Sequence, residues 1–519
     1  MKKSMRVWAL SLLLAFSVTM VGCGSPTPDD VNSSVDVNSS VSEESGVNSS
    51  ADATQPQSGT DPSSSLSSSS AIGTNSSGGN KAESSRTATS TPPKVNKPSV
   101  DTEALKDKLD FGGQTIKIAY SYDMNKRGTS AAADEMWDKV DRISKKFNVK
   151  LEVGLGSTSY DQMMITSILA GQPFGHVCLV HKQMEWLKAG VMAPLNDAME
   201  KTGIDFQSAP YAKAESSWFN YNNIQYGFST GGLPTDGYYY NKRIFNSMKL
   251  ESPQTLYEQG KWTWDKLTEI AKKATVRSAD GTVTQWGLGF TMVGVSADSL
   301  IANNGAVPFG FDKSGKATVN IKNKQVLEVL DQIGKWGTVD KVATSYTTGN
   351  WDAIVTQFRD EQNIAVISGT AVVPATLQTM KDDWGFVPPP RGPSGSKKVC
   401  MVDTGDAFFI PKSYANMADK LLLLMDEYLS PDDGEDTTDA FRKTWAGRFR
   451  DKTSYNLWVE YLTKWDRVWD CDEAWGLDWT YRVDHIFKGS TTAGTMVETY
   501  ADLFQTNLND LFGDLRYTG

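Results

Sequence analysis

Thr115-Ile116-Lys117-Ile118-Ala119-Tyr120 alternates polar and apolar residues, the period of a half-buried strand. Residues 131–147 then carry Met136, Val140, Ile143 and Phe147 at helical spacing, so one face of a helix is apolar. A second short strand at 150–154, a helix at 161–170 and a third strand at 176–180 continue the pattern. The helix after them carries Trp186 and Leu187 and stops at Gly190. This alternation predicts a parallel sheet with helices on both faces. Solutes bound to such sheets sit outside the carboxyl ends of the strands, which directs attention to loops 121–127, 181–183 and 228–236.

Upstream, the composition changes completely. Residues 24–100 hold 23 Ser, no aromatic residue and three copies of Val-Asn-Ser-Ser, at 31–34, 37–40 and 47–50. Such a segment cannot bury enough apolar surface to offset its ordering entropy, so 23–100 is expected to be a disordered tether. Residues 1–22 read as a signal peptide, with Lys2, Lys3 and Arg6 ahead of an apolar run. The run ends in Met20-Val21-Gly22-Cys23, which resembles a bacterial lipobox with Met20 in the place of Leu. That resemblance implies lipidation of Cys23 and a body held at the outer face of the bacterial cytoplasmic membrane, of the Gram-positive type.

Composition excludes several classes. The net charge of −10 argues against nucleic acid, whose affinity comes largely from Lys and Arg. Three His in 519 residues leave little for a multi-histidine zinc site or a Ser-His-Asp triad, and the sequence assigns no cofactor and no metal ligand, leaving a structural metal such as Ca²⁺ open. Cys178, Cys400 and Cys471 show no CxxC spacing, and both buried thiols and one bridge with a spare fit the sequence. All but one of the sixteen Trp lie beyond residue 130.

Gly237-Tyr238-Tyr239-Tyr240-Asn241-Lys242-Arg243-Ile244-Phe245 is followed by Lys261-Trp262-Thr263-Trp264-Asp265-Lys266-Leu267, with Thr263 a helix N-cap. Together with Gly190-Val191-Met192-Ala193-Pro194-Leu195-Asn196-Asp197, Trp384-Gly385-Phe386-Val387-Pro388-Pro389-Pro390 and Ala407-Phe408-Phe409-Ile410-Pro411-Lys412, this order resembles the extracellular solute-binding protein family 1. These are receptors of sugar-importing ABC transporters, similar to maltose-binding protein. The resemblance implies an α/β, two-lobed periplasmic-binding-protein-like fold with a hinge and an interlobe cleft. Lobe 1 is expected at 101–241 and 370–430, and lobe 2 at 242–369 and 431–519. It also implies a monomer that takes a carbohydrate, an oligosaccharide by the number of aromatics, and delivers it to ABC permease subunits.

Sugars present polar edges and apolar faces, so their sites combine planar hydrogen-bonding groups with aromatic platforms. Aligned by motif, Tyr122 and Asp123 follow the first strand, and His181, Lys182 and Gln183 follow the third. Thr235 and Asp236 precede the crossover strand, Asp403 and Asp406 bracket a short polar loop, and Trp351 and Trp475 are the candidate stacking indoles. A secreted glycoside hydrolase is the competing reading. It requires an acid and a second carboxylate about 5–10 Å apart, and no local signature for that pair is present. A sugar-sensing or adhesive receptor of the same fold is the third reading.

Overall fold

The expected strand–helix order is realised with boundaries shifted by about one residue. The strands that position the site are, in chain order, β1 (Thr115–Ala119), β2 (Lys150–Val153), β3 (Val177–Val180), β4 (Gly227–Phe228), β5 (Gly237–Asn241), β6 (Val283–Phe290), β7 (Ala343–Ser345), β8 (Ile364–Gly369), β9 (Trp384–Val387), β10 (Cys400–Asp403), β11 (Ala407–Phe409) and β12 (Asp466–Trp469). The helices used below are α1 (Ala131–Lys146), α2 (Tyr160–Leu169), α3 (Gln183–Lys188), α4 (Lys213–Ser217), α5 (Trp264–Ala274), α6 (Lys452–Lys464), α7 (Cys471–Trp475) and α8 (Ala493–Phe512). The computed structural model describes residues 100–519 except 121–123, 125, 130, 155–159, 209–211, 232–233, 347–351, 396–399, 404 and 431–444. The expected signal peptide, the tether and Cys23 therefore lie outside the described residues, as do Tyr122, Asp123 and Trp351.

Two sheets organise the body. The first runs β2-β1-β3-β11-β4, and the second runs β7-β6-β8-β5-β9 with Val276–Arg277 added beside β6. Within the first, β1 pairs parallel with β2 and β3, as the sequence predicts. But β11 pairs antiparallel with β3, and in the second sheet β5 pairs antiparallel with β8 and β9. The sheets are mixed rather than parallel for a simple geometric reason. Strands native to a lobe finish at the edge facing the other lobe, whereas β5 and β11 enter from that edge and must run the opposite way.

Sheet pairing also relocates the expected division. Tyr238, Tyr239 and Tyr240 of β5 face Ser368, Ile367 and Val366 of β8, and β9 lies on the other side of β5. Residues 237–241 and 384–387 thus belong to the second sheet, and a split at 241/242 or at 370 would cut that sheet. The chain crosses between sheets at 229–236 and again at 400–406. At the crossing it forms a narrow ribbon. β10 lies parallel to β12, with Asp403 opposite Trp469, and Pro234 bridges Asp403 on the other flank.

Three apolar cores hold these layers. One backs the first sheet (Ile116, Ile118, Phe147, Leu179, Leu421), and one backs the second (Ile364, Ile367, Trp384, Trp458, Tyr461). The largest is shared, joining Cys178, Val180 and Trp186 to Leu288, Phe290, Trp336 and Trp479. Helix α5 begins as expected, with the Thr263 hydroxyl accepting the Lys266 amide. Among the described residues, no helix is long and apolar enough to cross a membrane.

Candidate functional site

The antiparallel register of β11 on β3 sets Ala407 opposite Val180. The residue before β11 is therefore carried to the residue after β3. Nδ1 of His181 lies 2.7 Å from Oδ1 of Asp406, with both side chains partly accessible. A carboxylate only accepts, so Nδ1 carries the proton of this bond. Lys182, next in sequence, is half exposed, and its ammonium is 3.9 Å from Glu185. These three residues form a compact polar edge at the carboxyl end of the first sheet.

Gln183 performs a different task from the one expected of it. It is buried, and its Nε2 donates to Val180 O and to Gly405 O, both at 3.0 Å. It stitches the end of β3 to the turn between β10 and β11. Ser229 reinforces that turn by donating to Asp406 O at 2.8 Å. Gly405 itself sits at φ +70°, and a Cβ there would lie 2.4 Å from Trp469 Nε1, so both conformation and space require glycine.

Asp403 is fully buried and forms an ion pair with Arg467, which also stands 2.7 Å from Glu215. One guanidinium thus sits between two carboxylates, with all three side chains at most 5% exposed. Burial pushes the Glu215 carboxyl up to about 7, against the pull of Arg467. It raises Asp403 in the same direction. Thr235 lies on the ribbon, where its amide and hydroxyl donate to Val402 O at 3.0 and 3.3 Å.

Two expected ligand contacts turn inward. Asp236 is 1% exposed. Its Oδ1 accepts from Ser296 at 3.3 Å, its backbone oxygen accepts the Tyr461 hydroxyl, and Ser296 continues to Ser368. Burial drives its carboxyl well above the usual range, favouring the neutral form. Asp236 immediately precedes β5 of the second sheet, which is why it is carried into the core rather than towards a solute. Trp475 is 3% exposed and packs edge-to-face on Phe311, Trp469 and Phe512. Helix α7 is pressed into the shared core by α3 and the Phe309–Phe311 segment, so this indole offers no open face in this conformation.

Residues the sequence did not single out complete the picture. Trp218, at the end of α4, stacks on Trp469 of β12 at 5.4 Å and 8°. Arg467 and Glu215 lie in those same two elements. Nothing local in the chain announces the pairing of α4 with β12, which are brought together only by the ribbon. Among the described residues, no group of three or more His, Cys, Asp or Glu could hold a metal ion.

Two α/β lobes joined by a crossing ribbon, with polar side chains gathered at strand ends beside it, define the class of hinged two-lobed solute receptors. The chain belongs to the bacterial extracellular solute-binding protein family, whose model matches residues 129–435. No curated protein matches the sequence. Solved structures share the fold. The GacH receptor of Streptomyces glaucescens, studied unliganded and with acarbose, is 12% identical over 77% of this chain and 99% of its own, with a TM-score of 0.56. The cyclic alpha-maltosyl-1,6-maltose binding protein of Arthrobacter globiformis is also 12% identical, over 77% and 100%, with a TM-score of 0.56. An ABC substrate-binding protein of Listeria monocytogenes, in complex with cycloalternan, is 17% identical over 77% and 99%, with a TM-score of 0.53.

Proposed function

We propose that this protein is a lipid-anchored receptor that captures an oligosaccharide and delivers it to the permease of an ABC importer. The observation that carries the reading is the His181–Asp406 pair at the carboxyl edge of the first sheet, with Lys182 beside it. An imidazole and a carboxylate held 2.7 Å apart present the kind of donor and acceptor set that sugar hydroxyls require. The fold relatives named above, solved with acarbose or cycloalternan or named for a cyclic maltosyl-maltose, support a carbohydrate as the solute. In this reading His181, Lys182 and Asp406 contact the ligand, with Tyr122, Asp123 and Trp351 as further contacts. Gln183, Thr235 and Asp403 are framework, and Asp236 and Trp475 are core. The protein binds without chemistry, acts as a monomer and is held at the outer face of the membrane through Cys23.

The test is a thermal-shift screen of the mature chain over linear and cyclic oligosaccharides. A ligand at ~100 times its Kd adds about 2.7 kcal/mol, which is readily visible. Chromatography of the same mixtures returns the glycans uncleaved. A peptide or polyamine that raises the melting temperature where every carbohydrate fails overturns the sugar assignment. Metabolic labelling with an alkynyl fatty acid, lost in Cys23→Ala, checks the anchor.

A further inference from the structure

The turn that brings Asp406 to His181 is held by a chain of bonds that begins outside it. Arg467 pairs with Asp403, and Asp403 Oδ1 accepts the Gly405 amide at 2.9 Å. The Gly405 carbonyl accepts from Gln183 Nε2, which also bonds the last residue of β3. The next residue, Asp406, then meets His181 at 2.7 Å. The same Nη1 of Arg467 that pairs with Asp403 stands 2.7 Å from Glu215 of α4, and its Nη2 donates to Leu462 O of α6 at 3.3 Å. One buried guanidinium therefore ties together a helix beside the first sheet, the crossing strand β10 and the helix–strand segment packed on the second sheet.

We propose that Arg467 is the positioning residue of the ligand pair: through Asp403 and Gly405 it sets the distance between Asp406 and His181 and couples that distance to the junction of the lobes. The proposal rests on the reading of His181 and Asp406 as ligand contacts. Arg467 does not touch the solute, since its side chain is 5% exposed. Its Nη1 meets both carboxylates while its Nη2 donates to the Leu462 carbonyl, a two-nitrogen span that a lysine's single ammonium does not reproduce. The stacked Trp218–Trp469 pair runs between the same two elements and resists their separation.

The chain has only three His, so the His181 ring is assigned in a ¹⁵N spectrum by its loss in His181→Gln. In the wild type, Nδ1 shows the signature of a proton shared with a carboxylate. In Arg467→Lys that signature weakens. The affinity, measured with whichever of acarbose, cycloalternan and maltotriose gives the largest thermal shift, falls roughly tenfold or more, the size of one lost charge-assisted hydrogen bond. If Arg467→Lys does not fold, the neutral set Arg467→Met, Glu215→Gln and Asp403→Asn removes the buried charges together, and the same two readouts apply. A folded variant whose His181 spectrum and affinity match the wild type overturns the proposal. So does a variant that loses affinity while its His181 spectrum is unchanged. If no carbohydrate binds even the wild type but the His181 signature disappears on substitution, the positioning role stands and only the sugar reading falls.

Discussion

Glu215→Gln should change how stability responds to pH, and the structure gives the size. Glu215 is fully buried against Arg467, and burial holds its carboxyl at about 7 rather than 4.5. The folded chain therefore keeps this proton between about pH 4.5 and 7, where the unfolded chain has lost it. Protons bound in excess by the folded state mean that stability falls as pH rises through that window and levels off above it. A shift of 2.5 units (7 − 4.5) corresponds to roughly 3 kcal/mol. Glutamine keeps the shape and never ionises. Wild type and Glu215→Gln should be nearly equal in stability near pH 4.5, and the variant should gain steadily, reaching a lead of order 3 kcal/mol by pH 8. Asp236, Asp298 and Asp472 are also raised by burial, but they are present in both proteins and cancel in the difference. The assay is urea unfolding of the mature chain at half-unit steps from pH 4.5 to 8, comparing extrapolated free energies. A difference that stays flat across the window, or a variant that loses ground as pH rises, refutes the assignment of a protonated Glu215 in the triad.

Two further substitutions separate core from site. Trp475→Ala removes an indole packed among Phe309, Phe311, Trp469 and Phe512 and should cost about 3–5 kcal/mol in urea unfolding. A large loss of sugar affinity without a loss of stability would return Trp475 to the cleft. Gly287→Ala places a Cβ 2.0 Å from the Ala271 carbonyl, where β6 runs under α5, and should destabilise by about 3 kcal/mol; a neutral result in the same assay would mean that α5 sits further from the strand.

What could be read from the chain beforehand follows from how far each interaction reaches along it. β1, β2 and β3 were readable because periods of 2 and 3.6 are local, and so was the N-cap of α5 at Thr263. The directions of β5 and β11 were not, because they depend on which edge a strand enters and therefore on where the chain crosses. Asp236 shows the same limit at the level of one residue. Thr-Asp-Gly suits both a binding loop and a turn, and only the pairing of β5 with β8 turns the carboxyl towards Ser296. The Trp count invited a carbohydrate reading, yet Trp186, Trp262, Trp336, Trp384, Trp445, Trp458 and Trp479 are fully buried. Three cores need large side chains, and indoles supply volume whether or not a sugar is bound.

The polar pair and its clamp differ in the same way. His181 and Asp406 each flank a strand, so a rule about strand ends finds both without knowledge of their contact. Glu215 lies in Lys-Ala-Glu-Ser-Ser and Arg467 in Asp-Arg-Val-Trp, short segments with no feature that sets them apart from a solvated surface. Their meaning comes from burial together. An acid withdrawn from water is costly unless a cation meets it, and here one cation meets two acids. Burial first, and then the Asp403 charge competing for the same cation, explain why Glu215 holds its proton near neutrality. The second guanidinium nitrogen of Arg467 adds a bond to the Leu462 carbonyl, so one side chain joins the two acids to the backbone beside the ribbon, where the segment that carries Asp406 passes from one sheet to the other.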